Sequence, residues 1–381
     1  MSAVEDFHQS LEQLKKVERF RSLDAFRADG IYLITDSNVR LCNFGSNDYL
    51  GFASHRAKLE RQGAGSSALV AGWTDTHREL TEALAAFEQT DSACLFPSGY
   101  AACSGVVSTL ARDADVIFSD SLNHASLIDG CRLSNAVCFV YPHRDVVALR
   151  SMLSKHRASF RRAWIVTDAV FSMDGHLAPL VDLCDVGDEF DAGLIVDEAH
   201  ATGVLGERGA GLTELLGVKD RVSVVIGTLS KAIGSHGGFA ASNETTINYL
   251  INHCRSLIYS TALPPSSVVA AAQSLETIQK SSQERERVKS LARTLRSQLG
   301  LVAEGLESSV PIVPVLIGTD KESLSVSRNL SRSGLFVPAI RPPTVPEGTA
   351  RLRISLTALH TDKMLQELVS LLSDHVSELG A

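Results

Sequence analysis

Short apolar runs alternate with helix-like stretches along this chain from about residue 90 onward. Strands that alternate with helices are typical of βαβ units, because the intervening helix returns the chain so that successive strands lie parallel. The sequence therefore predicts an α/β fold, with a mostly parallel sheet in its large domain. The predicted strands are residues 116–118, 137–141, 164–166, 194–196 and 222–226.

The regions before and after this alternating pattern predict other kinds of structure. Residues 5–26 predict one amphipathic helix, and residues 32–34 with 39–41 predict a small hairpin. After Pro264 and Pro265, two long helices precede strand-like segments, an order typical of a separate α+β domain. We therefore expect an N-terminal arm (1–42), a large domain (43–265) and a smaller C-terminal α+β domain (266–381).

Composition excludes several classes of protein. A chain of 381 residues with 44% hydrophobic residues can bury a large core, and a net charge of −8 disfavours a nucleic-acid or anionic-membrane binder. The seven cysteines form no C-x-x-C pair, which favours reduced thiols. The N-terminus does not resemble a secretory signal and no run is long enough to span a membrane. We expect a cytoplasmic protein without a nucleic-acid or membrane partner, and we predict no metal site.

Lys231 follows a predicted buried strand almost directly, within the stretch GTLSKAIG (227–234). Most lysines are solvated surface groups, but one at a strand end can hold a carbonyl cofactor. The stretch AGLIVDEAH (192–200) brings Asp197 and His200 to the end of another strand, where open α/β sheets bind ligands. Because pyridoxal phosphate needs a carboxylate facing its ring nitrogen, Lys231 and Asp197 predict that cofactor.

Three other positions lie at predicted strand or helix ends. Residues 96–102 (FPSGYAA) predict a glycine turn that opens a helix, whose amides bind phosphate. His124 and Ser172 each follow a predicted strand, so that His124 could stack on a cofactor ring. Taken singly, residues 96–102 are better explained as an ordinary helix start and Ser172 as a turn residue, and His124 is explained equally well as a polar helix-terminal residue. The DEAH letters also suggest a helicase, but no Gly-Lys pair is present to form its phosphate loop.

Together these motifs resemble the α-oxoamine synthases, which are fold-type I pyridoxal-phosphate enzymes that condense an amino acid with an acyl thioester and release CO₂. The stretches 44–51, 121–128, 170–175, 197–203 and 228–231 occur in the order and spacing of that family. The resemblance implies that Lys231 carries the cofactor and acts as a base, and that Asp197 pairs with the ring nitrogen. It further implies that His200 and Ser172 address the phenolic oxygen, that His124 stacks on the ring, and that the phosphate is held by Gly99, Tyr100 and Thr228.

The resemblance also implies the substrates. Asn47 and Arg353 match positions that hold the amino-acid carboxylate, and Arg21 and Thr344, with His124, match positions assigned to substrate. Arg341 is a further candidate for the same pocket. Residues 340–353 resemble the loop of the biotin-pathway member, which joins L-alanine to a pimeloyl thioester carried by coenzyme A or acyl carrier protein.

Alternatives remain open within and beyond this family. A sister ligase uses glycine and acetyl-CoA with the same catalytic residues, and Ser230 stands where some biotin-pathway enzymes have glycine. A fold-type I transaminase or lyase would need Lys231 and Asp197 but no acyl thioester, and a non-catalytic pyridoxal-phosphate-binding module is a further alternative. The family implies a homodimer with its active site at the subunit interface, where we expect Ser260 and Thr261 to reach the phosphate.

Overall fold

Helices and strands alternate through the middle of the chain. The computed structural model describes residues 3–55 and 62–379. In chain order the strands are β1 (Phe26–Asp29), β2 (Tyr32–Thr35), β3 (Arg40–Asn43), β4 (Ser92–Phe96), β5 (Val116–Asp120), β6 (Val137–Tyr141), β7 (Ala163–Asp168), β8 (Ala192–Asp197), β9 (Val224–Thr228), β10 (Gly238–Ser242), β11 (Ile312–Gly318), β12 (Leu335–Phe336), β13 (Ala339–Ile340) and β14 (Ala350–Ser355). The α-helices are α1 (Ala3–Lys16), α2 (Asp75–Glu88), α3 (Gly99–Leu110), α4 (Ala125–Leu133), α5 (Val146–His156), α6 (Leu180–Phe190), α7 (Leu212–Leu215), α8 (Glu244–His253), α9 (Arg255–Ile258), α10 (Pro265–Lys280), α11 (Ser282–Gln298), α12 (Asp320–Arg332) and α13 (Asp362–Leu379).

The chain divides into two compact units. The central unit comprises Asp48–Ser172 and His176–Glu286, and the flanking unit comprises Met1–Asn47, Met173–Gly175 and Arg287–Ala381. The domain boundaries that we expect after residues 42 and 265 stay predictions. Of the residues assigned to the arm and to the C-terminal domain, 1–2 and 380–381 lie outside the described residues.

The central unit contains a seven-stranded sheet in the order β4-β10-β9-β8-β7-β5-β6. Strands β5 to β9 pair in parallel, which confirms the predicted α/β fold with a mostly parallel sheet. Strand β10 runs antiparallel to both β4 and β9. We did not predict β4 or β10, because segments such as GFAAS are rich in small residues and poor in the β-branched residues that favour strands.

Burial on both faces explains why most of the other central strands were visible in the sequence. Every residue of β5 and of β9 is buried, so these strands read as continuous apolar runs. Helix α3 packs Val106 and Val107 against the same core as Ile195 and Ile226. Each fully buried aliphatic side chain contributes about 1.5–3 kcal/mol, and this core therefore fixes the strand ends firmly.

The flanking unit holds two small sheets, in the orders β1-β2-β3-β12 and β11-β14-β13. The predicted hairpin is confirmed, since β2 and β3 pair antiparallel. The predicted strands near residues 312 and 351 correspond to β11 and β14. Within the described residues, no helix has the length and apolar character needed to cross a membrane.

The single helix predicted over residues 5–26 is wrong. Helix α1 ends at Lys16, and Glu18 adopts a left-handed backbone with φ 59°. The amides of Arg19 and Phe20 donate to the carbonyl of Leu14 and so close the helix. Phe26 instead begins β1 and packs edge-on against Phe336. Phe26 fits the helical spacing of apolar residues, but its side chain is apolar because it makes this tertiary contact.

Candidate active site

The carboxyl ends of β7, β8 and β9 meet at one edge of the central sheet. Asp168 on β7 pairs with Asp197 on β8, and Asp197 pairs with Ile226 on β9, two residues before Thr228. The parallel register therefore brings two carboxyl groups and the chain leading to Lys231 to the same edge. The prediction that the strand ends carrying Asp197 and leading to Lys231 converge is confirmed.

Asp197 is a buried carboxylate with defined donors. Its Oδ1 accepts the backbone N–H of Ala199 at 2.9 Å, and its Oδ2 accepts the Cys103 thiol at 3.1 Å. Burial, and then the Asp197 charge, raise the pKa of Cys103 well above its usual range, so the thiol stays protonated and donates. A fixed, buried carboxylate of this kind suits a protonated ring nitrogen.

Asp168 lies beside Asp197, and sequence reasoning gave it no role. Burial, and then the Asp197 charge, raise the pKa of Asp168 well above its usual range. Its Oδ2 accepts the backbone N–H of His124 at 2.7 Å, and its own N–H donates to Asn123 Oδ1 at 3.0 Å. Its position at a strand end, like that of Asp197, was the signal that would have found it.

His124 caps the start of α4. Its Nδ1 is hydrogen-bonded to the Ser126 hydroxyl at 2.7 Å, which orients the ring. Although the residue is exposed to solvent, desolvation by surrounding protein atoms lowers its pKa, with Asp197 opposing the shift and Lys231 adding to it. The ring is therefore neutral near pH 7, and Asp197 and Lys231 lie close enough to affect its charge.

Lys231 lies in a tight turn after β9 and is partly buried. Its carbonyl accepts the N–H of Gly234 at 2.8 Å. Gly234 has φ 69°, and a Cβ there would lie 2.5 Å from the backbone nitrogen of Ala53, so only glycine fits. Thr228 supports the same turn, because its hydroxyl donates to the carbonyl of Gly237 at 3.0 Å.

The start of α3 forms a cradle for an anion. The first amides of a helix have no intrahelical acceptor. Among the described hydrogen bonds, the Ser98 side chain accepts one of these amides, that of Ala101, at 3.1 Å. A Cβ on Gly99 would lie 3.1 Å from both the Cβ and the hydroxyl of Thr228. The Tyr100 hydroxyl donates to Asp129, so Tyr100 offers its backbone amide rather than its side chain.

His200 and Ser172 come from two further turns of the central unit. His200 is buried, and its Nδ1 is hydrogen-bonded to the Tyr49 hydroxyl at 2.7 Å. Ser172 lies in a turn in which the N–H of Phe171 donates to the carbonyl of His176 at 2.9 Å. Tyr49 belongs to a motif noted in the sequence but had no assigned role. A buried carboxylate, a partly buried lysine, a neutral imidazole and a glycine-lined helix start together fit the ring, aldehyde and phosphate of pyridoxal phosphate.

The other predicted substrate residues belong to the flanking unit, where they form two groups. Arg353 on β14 is buried, and its Nη1 donates to Asn47 Oδ1 at 3.1 Å and to Ser355 Oγ at 2.6 Å. Arg21 donates to the hydroxyl of Thr344 at 3.5 Å, and both residues are exposed. Arg341 donates to the carbonyl of Glu18.

Comparison with known proteins agrees with this geometry. Residues 39–372 match the sequence profile of the family described as aminotransferase class I and II. An 8-amino-7-oxononanoate synthase from Geotalea daltonii is 42% identical over 393 residues, covering 99% of each chain. A solved serine palmitoyltransferase from S. paucimobilis, with a bound PLP–myriocin aldimine, superposes with a TM-score of 0.92 at 27% identity and covers 100% of each chain. An 8-amino-7-oxononanoate synthase from Francisella tularensis superposes with a TM-score of 0.77 at 28% identity, covering 90% of this chain and 99% of that one. This chain therefore belongs to the aminotransferase class I and II family and, within it, to the 8-amino-7-oxononanoate synthases.

Proposed function

We propose that this chain is a pyridoxal-phosphate enzyme that condenses L-alanine with a pimeloyl thioester, giving 8-amino-7-oxononanoate, CO₂ and a free thiol. The observation that carries the proposal is the buried Asp197 carboxylate at the end of β8, beside the end of β9 from which the chain leads to Lys231. The near full-length likeness to 8-amino-7-oxononanoate synthases supports the choice of substrates.

Bound pyridoxal phosphate supplies a protonated ring that accepts the electron pair left on the α-carbon of the amino acid. Asp197 holds the proton at the ring nitrogen, because a buried carboxylate favours a cation beside it. Cys103 and Ala199 fix the direction of its two oxygens. Burial and the neighbouring Asp197 charge raise the pKa of Asp168 well above its usual range, which disfavours a second negative charge at this edge.

Lys231 has two tasks in this proposal. Its amine would hold the aldehyde of the cofactor and, when free, would remove the α-proton of L-alanine. The turn that Gly234 and Thr228 stabilise keeps this amine at the sheet edge. The same amine is then placed to return a proton to the α-carbon after CO₂ has left.

The remaining central residues orient the cofactor. His124 would offer a neutral, flat ring for stacking on the cofactor. His200, which is hydrogen-bonded to the Tyr49 hydroxyl, would reach the phenolic oxygen together with Ser172. The amides of Gly99 and Tyr100, with Thr228, hold the phosphate, because a helix start binds anions.

The flanking residues bind the substrates. Arg353 is buried and kept in place by Asn47 and Ser355, which suits a guanidinium that receives the carboxylate of L-alanine. Arg21 and Thr344 bind the acyl donor, and Arg341 belongs to the same loop. We further propose an arm, a large domain and a C-terminal domain bounded at residues 42 and 265, in a cytoplasmic homodimer in which Ser260 and Thr261 reach the partner's phosphate.

The deciding experiment measures thiol release by the purified protein with pyridoxal phosphate. Three pairs are compared: pimeloyl-CoA with L-alanine, a pimeloyl acyl carrier protein with L-alanine, and acetyl-CoA with glycine. Release from either pimeloyl donor supports the proposal, and the faster of the two identifies the carrier. Thiol release only with acetyl-CoA and glycine would show that the protein is the sister ligase, acting with the same catalytic residues. No release from any pair would favour a transaminase or lyase.

A further inference from the structure

The segment that follows α1 is fastened to two other parts of the flanking unit by one side chain. Arg19 Nε donates to Asp320 Oδ2 at 2.6 Å, at the start of α12. Arg19 Nη1 donates to Glu347 Oε1 at 2.8 Å, and Nη2 donates to Oε2 of the same carboxylate. We call Arg19, Asp320 and Glu347 the arm latch.

The arm latch differs from an ordinary surface ion pair. The Arg19 and Asp320 side chains are 25% and 15% exposed, and the contact with Glu347 is bidentate. The contact with Asp320 is part-buried, and the contact with Glu347, whose side chain is 75% exposed, is forked. Each of these features fixes geometry better than a single exposed pair, which contributes little. The hydrogen bond from Arg19 also lowers the pKa of Glu347, which shows that the two charges are coupled.

A second contact acts on the neighbouring residue. Arg341 Nη1 donates to the carbonyl of Glu18, and the left-handed backbone of Glu18 turns the chain at this point. The Arg341 Nε is buried and has no hydrogen-bond partner among the described residues. The backbone of residue 18 and the side chain of residue 19 are therefore both tied to the loop between β13 and β14.

The contacts of Arg19 and Arg341 lie close in sequence to Arg21 and Thr344, the two residues proposed to bind the acyl donor. Thr344 stands between Arg341 and Glu347 in the loop, and Arg21 follows Arg19 by two residues. Arg21 and Thr344 are themselves only 3.5 Å apart, at the limit of a hydrogen bond, and both are exposed. The contact between Arg21 and Thr344 is weak, so the distance between them depends on the contacts that Arg19 and Arg341 make.

We propose that Arg19 is a positioning residue that holds Arg21 beside Thr344 and thereby sets the affinity for the acyl donor. This inference rests on the proposed function, because it takes Arg21 and Thr344 to bind that donor. Arg19 itself touches carboxylates of this chain and no reacting atom.

The test compares Arg19→Gln with Arg40→Gln. Arg40 forms an exposed ion pair with Asp29 at 3.1 Å in the same unit, so its loss removes a similar charge without touching the arm latch. We expect Arg19→Gln to raise KM for the pimeloyl thioester about fivefold, since a small displacement of a binding group is costly. Both kcat and KM for L-alanine should stay within about twofold. Arg19→Lys, which can keep the Asp320 pair but not the fork to Glu347, should give an intermediate KM.

A second readout needs no substrate. Amide hydrogen exchange of residues 17–24 should be faster in Arg19→Gln than in Arg40→Gln, with unchanged exchange in the central unit. If both variants match the wild type in exchange and in KM, the inference is overturned while the proposed function stands. If the wild type releases no thiol from any acyl donor, the proposed function fails, and the link from Arg19 to the donor fails with it. Exchange then shows separately whether Arg19 fixes the arm.

Discussion

The central and flanking units hold their proposed site residues in different ways. Asp197 and Thr228 lie at the ends of buried strands, each only 4% exposed, and the sheet itself fixes them. Arg21 and Thr344 lie on exposed segments and depend on ion pairs between distant parts of the chain. We therefore expect changes in the central unit to reduce the rate of chemistry and changes in the flanking unit to weaken substrate binding.

The largest expected effect is that of Lys231→Ala. Removing the amine removes both the cofactor attachment and the proposed base, so kcat for thiol release should fall by at least about 10³-fold. Lys280→Ala is the matched control, because Lys280 forms an exposed pair with Glu276 in the same unit. A Lys231→Ala enzyme with near-normal kcat would contradict the division of roles.

A second prediction concerns stability in acid. His360 in the flanking unit is buried against Phe44, with ring centroids 4.2 Å apart. Burial lowers the pKa of His360 to about 4, from 6.5 in the unfolded chain. The unfolded chain therefore takes up a proton that the folded one does not, and stability is lost as pH falls from 6.5 to 4. The wild type should lose about 3 kcal/mol more than His360→Asn over this range in urea unfolding.

The central unit supplies a control of opposite sign. Burial raises the pKa of Glu88 to about 7, despite its ion pair with Lys219. The folded state keeps a proton that the unfolded chain releases above pH 4.5, so the contribution of Glu88 falls as pH rises toward 7. The stability of the wild type relative to Glu88→Gln should accordingly decrease between pH 5 and 7. Equal pH slopes for the His360 and Glu88 comparisons would show that burial does not govern these groups.

Arg353→Lys should have the next largest effect, on binding. Lysine keeps the charge but loses the forked donors that reach Asn47 and a carboxylate together. We expect KM for L-alanine to rise about 50-fold, with KM for the acyl donor within about threefold. Steady-state kinetics with each substrate varied in turn separates the two. A fall in kcat without a change in KM would show that Arg353 acts in the chemical step and not in substrate binding.

Arg21→Gln should have the smallest effect of these variants. Because Arg21 is exposed, its contribution is screened by solvent, and KM for the pimeloyl thioester should rise about tenfold. The difference from the wild type should shrink when salt is raised. An effect on KM for L-alanine of the same size would show that Arg21 does not distinguish the two substrates.

The sequence predicted the central unit better than the flanking unit, for physical reasons. Strands buried on both faces leave continuous apolar runs, and Asp197 and the turn that carries Lys231 could be found from those runs. Asp168 was missed although it too ends a strand, because its pairing with Asp197 on the neighbouring strand is not a local sequence pattern. Arg19 was missed because its partners lie 301 and 328 residues away, and no local pattern records such pairs. The end of α1 was misplaced because a left-handed residue and a tertiary contact override the helical period.

The position of β10 in the central sheet has a consequence for how the chain folds during synthesis. Strand β4 contacts the rest of the sheet through β10, its neighbour in the strand order. The ribosome makes β4 before any of the parallel strands and β10 after all of them, so β4 must wait until the rest of the sheet has emerged. Such a long-range pairing is slow to form and leaves an open strand edge in the meantime. We therefore expect the nascent chain to leave β4 unpaired, with an open edge, until residues 238–242 have left the ribosomal exit tunnel.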